Sequence, residues 1–154
     1  MRALIQRVSS AQVSIEQEPA RSIDRGYVIL LGIGPHDTEE TAQAMWTKIS
    51  KLRIFEDEQG KTNLSLFDVQ GSVLLVSQFT LYADCKRGNR PSFTRGAAPQ
   101  QAEALYEYFR TLIENDAIPV RTGWFGAYMN VDLTNDGPFT IWLDSDELFP
   151  RLSE

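Results

Sequence analysis

Two short runs place polar groups where chemistry could be done: Ser77-Gln78-Phe79-Thr80 and Asn135-Asp136-Gly137-Pro138. Each interrupts apolar, strand-like sequence, "GSVLLVSQFTLYA" and "NVDLTNDGPFTIWLD". Such an interruption marks either a bulge that turns main-chain groups toward a ligand or polar side chains satisfied within a sheet. Gly137-Pro138 sharpens the question, because proline lacks the N–H that a resuming strand needs for its ladder. The dipeptide therefore either ends a hairpin at a sheet edge or is itself used for its backbone. Thr80 offers a hydroxyl, but a hydroxyl nucleophile needs an activating base. The only histidine, His36, stands in "GIGPHDTEE" ahead of a helix and reads as a surface residue. The single cysteine, Cys85, excludes an internal disulfide and a cysteine-based zinc cluster. Beside Lys86 and Arg87 it reads as a loop thiol, and neither a metal nor a cofactor is expected.

The formal charge of −6 argues against a molecule coated in basic surface. One loop departs from this balance: "CKRGNRPSFTRG" gathers Lys86, Arg87, Arg90 and Arg95 with no acidic residue among them. It reads equally as a solvated loop or as a local phosphate-binding patch.

The elements that must position these groups follow from periodicity. "ALIQRVSSAQVSI" alternates in part and predicts one long strand or two joined by a kink. "YVILLGIG" is continuously apolar, as a buried strand would be. "DTEETAQAMWTKISKL" predicts a helix capped by Asp37 or Thr38, with Ala42, Met45, Trp46 and Ile49 as its apolar stripe. "LRIF" reads as a short strand and "EDEQGKTN" as a turn. "APQQAEALYEYFRTLIEN" predicts a second helix with Pro99 in its first turn. From residue 118 onward at least two strands are expected, with turns at Gly123 to Gly126 and Asn135 to Pro138. The 154 residues contain no repeats or linkers and 42% hydrophobic residues. The expectation is one α+β domain over residues 1–154, with a mostly antiparallel, barrel-like sheet carrying two main helices outside. No apolar run approaches the ~18 residues that would span a membrane. The opening "MRALIQRVSSAQVSIE" lacks the apolar core of a signal peptide, so a cytoplasmic protein is expected.

The whole chain resembles the D-aminoacyl-tRNA deacylases. "SQFTL" (Ser77 to Leu81) matches one signature of that family, and "NDGPFT" (Asn135 to Thr140) matches the other, which usually reads Asn-x-Gly-Pro-Val-Thr. "RALIQRVSSAQV", "KRGNRPSF" and "FGAYMNVDL" are also similar to it, and Phe139 in place of valine is the departure. The resemblance implies an editing hydrolase that cleaves the ester of D-aminoacyl-tRNA. It implies a homodimer in which a cis Gly137-Pro138 dipeptide enters the partner's active site and rejects L-amino acids by steric exclusion. Arg7 would brace that dipeptide, and removal of glycine from mischarged alanine tRNA would follow. Ser77, Gln78, Phe79 and Thr80 would form the catalytic segment, with main-chain N–H groups of Phe79 and Thr80 stabilising an oxyanion and Gln78 orienting substrate or water. Thr80 reads as a positioning or hydrogen-bonding group in preference to a nucleophile, since no histidine partner is at hand to activate it. Lys86, Arg87, Arg90 and Arg95 would contact the acceptor end of tRNA, with no DNA and no membrane as partner. The rival expectations are a related deacylase of relaxed chirality and a non-catalytic RNA-binding module on the same fold.

Overall fold

The computed structural model describes residues 1–152. The first strand, β1 (Arg2–Ser14), is a single element, and its alternation sends Ala3 and Ile5 inward while Leu4 and Gln6 face outward. On one edge it pairs antiparallel with β2 (Arg21–Ile23) and β3 (Gly26–Gly32). Its other edge is covered by β8 (Asn130–Asp144), also antiparallel. From β3 the sheet continues in parallel through β6 (Ser72–Ser77) to β7 (Val120–Thr122). Parallel neighbours need long crossovers, and the two main helices supply them. Between β3 and β6 run α1 (Glu39–Ser50) and the small hairpin of β4 (Phe55–Glu56) and β5 (Thr62–Leu64). Between β6 and β7 runs α2 (Pro99–Asn115).

The sheet curls until it nearly closes into a barrel. Arg21 of β2 reaches β7, donating from Nη1 to the carbonyl of Thr122 at 2.9 Å. β3 is buried on both faces, which explains its unbroken apolar run. Val28, with Val8, Val13, Leu74 and Val76, faces one core. Tyr27, Ile29 and Leu31 face the other, built with Met45, Trp46 and Ile49 of α1 and with Tyr106, Phe109 and Ile113 of α2. Phe109 is fully buried against Trp46, so truncation to alanine would cost about 3–5 kcal/mol. Thr38, one of the two expected candidates, caps α1 in a capping box with Thr41. A short α3 (Ser145–Leu148) follows β8. The expected α+β architecture, mostly antiparallel with two main helices, is what the chain adopts.

Two expectations need correction. β6 ends at Ser77, and the "SQFTL" run leaves the sheet as a 3-10 turn, Phe79–Tyr82, instead of bulging within a continuing strand. The Asn135 to Pro138 segment does not separate two strands, because β8 runs through it with its pairing to β1 interrupted. Among the described residues no helix is long and apolar enough to cross a membrane.

Candidate active site

The interruption in β8 is local and large. Gln6 pairs with Thr140 and Val8 with Asn135, so Arg7 alone stands opposite Asp136, Gly137, Pro138 and Phe139. The proline lies outside the ladder, where its missing N–H costs no pairing. Gly137 and Pro138 are exposed, and the peptide bond between them is cis.

Residues at the base hold the bulge in shape. The Asn135 side chain accepts from the Phe139 N–H at 2.9 Å and donates to the Thr140 hydroxyl at 2.8 Å. The motif's first and last residues thus staple its two ends together. Arg7 holds it from below. Its Nε donates to the Asp136 carbonyl at 3.1 Å and its Nη1 to the Ile54 carbonyl at 2.6 Å. The guanidinium also lies 4.8 Å from the centre of the Phe139 ring, a cation–π arrangement. A β-carbon on Gly137 would meet the Phe139 nitrogen at 3.1 Å and Arg7 Nη2 at 3.2 Å, and the residue has φ +133°. The backbone conformation favours glycine there, and a side chain would also need Phe139 or Arg7 to give by a few tenths of an ångström.

The second site segment is the turn after β6. The Gln78 N–H bonds the Leu31 carbonyl at 2.8 Å, and the Leu81 N–H bonds back to the Gln78 carbonyl at 3.2 Å. Gly32 lets the turn settle on the end of β3: a β-carbon there would come within 3.1 Å of the Gln78 carbonyl and 3.2 Å of Leu81 and Tyr82 side-chain carbons. Phe79 and Thr80 open the turn, so their N–H groups have no preceding turn carbonyl to receive them. Both residues are exposed. The Gln78 amide donates to the Thr80 hydroxyl at 2.5 Å, and His36 lies in the exposed segment before α1. Thr80 therefore has an amide donor for a neighbour, with no base among its hydrogen-bond partners within the described residues.

The basic loop emerges directly from this turn. Asp84 and Ser92 close it with two backbone bonds of 2.7 and 2.9 Å. Lys86, Arg87, Arg90 and Arg95 are all exposed, and among the described residues none forms an ion pair. Phe93 turns back to meet the Phe79 ring edge-on, centroids 5.2 Å apart. Ser77, Gln78, Phe79, Thr80 and the basic loop thus share one region, and Arg7, Gly137 and Pro138 share another.

Sequence reasoning missed Asn135 and Thr140 as staples, although both flank the Gly-Pro dipeptide within its motif. It also missed Arg2, whose Nη1 donates to the Leu81 carbonyl at 2.9 Å. A contact across 79 residues leaves no local signal. Tyr82, at the turn's end, has its phenol pushed well above the usual range by burial first, then by the negative charges of Asp37 and Asp144. It serves the turn as a neutral ring.

Residues 4–144 match the family model described as D-Tyr-tRNA(Tyr) deacylase. A D-aminoacyl-tRNA deacylase of Thermotoga petrophila is 54% identical over 149 residues, covering 97% of this chain and all of the relative. That of Bacillus pumilus is 53% identical over 147 residues, covering 96% of this chain and all of the relative. A solved structure described as the c-Myc DNA unwinding element binding protein superposes with a TM-score of 0.88 at 42% identity, covering 94% of this chain and 98% of the other. Another, described as a probable eukaryotic D-amino acid tRNA deacylase, reaches a TM-score of 0.81 at 17% identity and covers 92% and 97% of the two chains. That second likeness bears on the fold alone.

Proposed function

Since this chain belongs to the D-Tyr-tRNA(Tyr) deacylase family, we infer that it is an aminoacyl-tRNA editing hydrolase and that its bulge and its turn divide the work between them. The reaction adds water to the ester joining a D-amino acid to the terminal adenosine of tRNA, releasing the D-amino acid and intact tRNA. The observation that carries the division of labour is the exposed Gly-Pro bulge, stapled by Asn135 and braced by the buried Arg7.

Main-chain oxygens of Gly137 and Pro138 accept hydrogen bonds from the substrate ammonium group. The dipeptide acts in the site of a second copy of the chain, so the working unit is a homodimer. With ammonium and ester both held, inversion at the α-carbon drives an L side chain into the protein wall. Selection by exclusion needs no reading of the side chain. Glycine has nothing to exclude, and glycyl-tRNA(Ala) is accordingly a second substrate.

Hydrolysis is assigned to the turn. An aminoacyl ester is already activated, so a held water and a stabilised oxyanion are sufficient. The N–H groups of Phe79 and Thr80 face the developing negative charge. Ser77 and Gln78 hold the turn's start, and Gln78 orients the Thr80 hydroxyl as a positioning group. The adjacent ribose 2′-hydroxyl assists proton transfer to the leaving 3′-oxygen. Lys86, Arg87, Arg90 and Arg95 contact acceptor-end phosphates, a small footprint compatible with an acidic chain working in the cytoplasm. Gathering of these cations in one loop favours a short RNA end over a long DNA duplex.

Deacylation of D- and L-tyrosyl-tRNA, measured side by side, tests the reading. Loss of the D ester alone is expected. Equal cleavage of both would overturn chiral exclusion, and binding of charged tRNA without ester loss would favour a non-catalytic RNA-binding module.

A further inference from the structure

Arg2 ties the far end of the turn from Phe79 to Tyr82 to β8 by four simultaneous contacts, two to each. Its Nη1 donates to the Leu81 carbonyl at 2.9 Å, and its Nε donates to Asp144 Oδ2 at 2.9 Å. The guanidinium carbon lies 4.4 Å from the centre of the Tyr82 ring and 5.6 Å from that of Trp142. Arg2 and Asp144 are also partners in the pairing of β1 with β8. Asp144 is in turn fixed: it is buried, and its other oxygen accepts the Asp146 N–H at 3.0 Å.

The turn needs such a tie. Its start is bonded to β3 through Gln78 and Leu31, and its floor is the bare surface of Gly32. At its other end the Leu81 carbonyl receives the guanidinium N–H and Tyr82 lies beneath the guanidinium plane. A planar group with five donors can bond a carbonyl and a carboxylate while stacking on aromatic faces, which an ammonium cannot do together. Phe79 to Tyr82 form a single four-residue 3-10 helix, so displacement of its end would be passed to the two N–H groups at its beginning.

We propose that Arg2 is a positioning residue for hydrolysis, fixing the direction of the Phe79 and Thr80 N–H groups by clamping Leu81 and Tyr82 to the end of β8. It touches no substrate and acts through the turn. The assignment of catalysis to that turn rests on the function proposed above.

Steady-state deacylation of D-tyrosyl-tRNA by the full chain and by Arg2→Met and Arg2→Lys tests this. Arg2→Met is expected to lose on the order of tenfold to a hundredfold in kcat, with KM and the preference for the D ester unchanged. Arg2→Lys is expected to recover part of the loss, because its ammonium can still reach one oxygen. Amide resonances of Phe79 and Thr80 should shift in Arg2→Met beyond those of the helices. A folded Arg2→Met with kcat within about twofold of the parent would overturn the proposal. So would a loss of rate that tracks a lowered melting temperature without shifts at Phe79 and Thr80. If the unsubstituted chain fails to deacylate, the functional reading falls, and the amide shifts alone still decide whether Arg2 orients the turn.

Discussion

Arg7 spans the gap between β1 and the bulge that interrupts β8, its Nε 3.1 Å from the Asp136 carbonyl oxygen, one residue before Gly137. The same guanidinium donates to Ile54 on the segment after α1. The bulge is thereby referenced to the buried body of the domain as well as to its own strand. An exposed dipeptide can act as a rigid gauge only if its base cannot move. Arg7→Lys should destabilise the fold by about 1–3 kcal/mol, because one ammonium cannot serve both the buried Ile54 carbonyl and the part-buried Asp136 carbonyl. D-ester hydrolysis should fall with it. Denaturant melts and single-turnover assays check both, and an unaltered rate would detach Arg7 from the dipeptide's function.

Gly137→Ala should act where the substrate ammonium is expected. The added methyl would lie 3.1 Å from the Phe139 nitrogen and 3.2 Å from Arg7 Nη2, at φ +133°. Strain of about 1–3 kcal/mol is expected at such a backbone position, together with a D-ester rate at least about tenfold lower. Gel filtration should give the same oligomeric state as the parent chain, which the function proposed above takes to be a dimer. Full activity in a folded variant would remove Gly137 from the pocket.

Thr80→Ala separates two mechanisms. Gln78 donates to the Thr80 hydroxyl, so the hydroxyl lacks an activating base in that bond and its loss should leave the main-chain N–H groups in place. A reduction of about tenfold or less in kcat is expected for a positioning hydroxyl. A fall of about a thousandfold or more, the scale of a lost catalytic group, would assign the chemistry to the side chain.

Charge reversal in the basic loop should read out as salt dependence. Replacing Arg87 and Arg90 together with glutamate should raise KM for D-aminoacyl-tRNA and flatten the fall of affinity with added salt. Hydrolysis of a D-aminoacyl-adenosine lacking the tRNA body should be nearly unchanged. Equal damage to both substrates would place the loop's role in the fold of the turn.

Stability should decline at alkaline pH. Tyr27, Tyr82 and Tyr106 all have phenol pKa values raised, by burial before any other cause. For Tyr106, whose hydroxyl donates to the Leu75 carbonyl at 2.8 Å, burial holds the phenol protonated well above its usual range. In the unfolded chain these phenols ionise near pH ~10, while the folded chain keeps their protons. The unfolded state then binds fewer protons, so stability is fully present below about pH 10 and is lost as pH rises beyond it. Melting temperatures taken from about pH 8 to pH 12, bracketing the unfolded-chain value, check this, and a flat profile would contradict it.

Much of the molecule was legible from local pattern. The 3.6-residue stripes of Met45, Trp46, Ile49 and of Tyr106, Phe109, Ile113 specify two helices with buried faces. The apolar run Tyr27 to Gly32 specifies a strand covered on both sides. Turn chemistry at Asn135 to Pro138 marks where the chain departs from regular pairing, but not the setting of that departure. Asn-Asp-Gly-Pro predicts a break between strands, whereas pairing with β1 on both sides carries β8 through it. The "SQFTL" run differs from expectation for a related reason: β-propensity of Phe79 and Thr80 favours a strand, but the end of β3 and the bare Gly32 accept a tight turn instead.

By itself the sequence determined which residues could serve: a proline without a ladder donor, a glycine beside it, a hydroxyl without a histidine, and four cations in one loop. These follow from side-chain chemistry and short-range periodicity, both of which are local. Tertiary structure alone decided what holds them. Arg7 reaches Asp136 across 129 residues and Arg2 reaches Leu81 across 79. Such contacts arise because β1 lies beside β8 and under the turn after β6, and chain separation of that size leaves no trace in residue spacing.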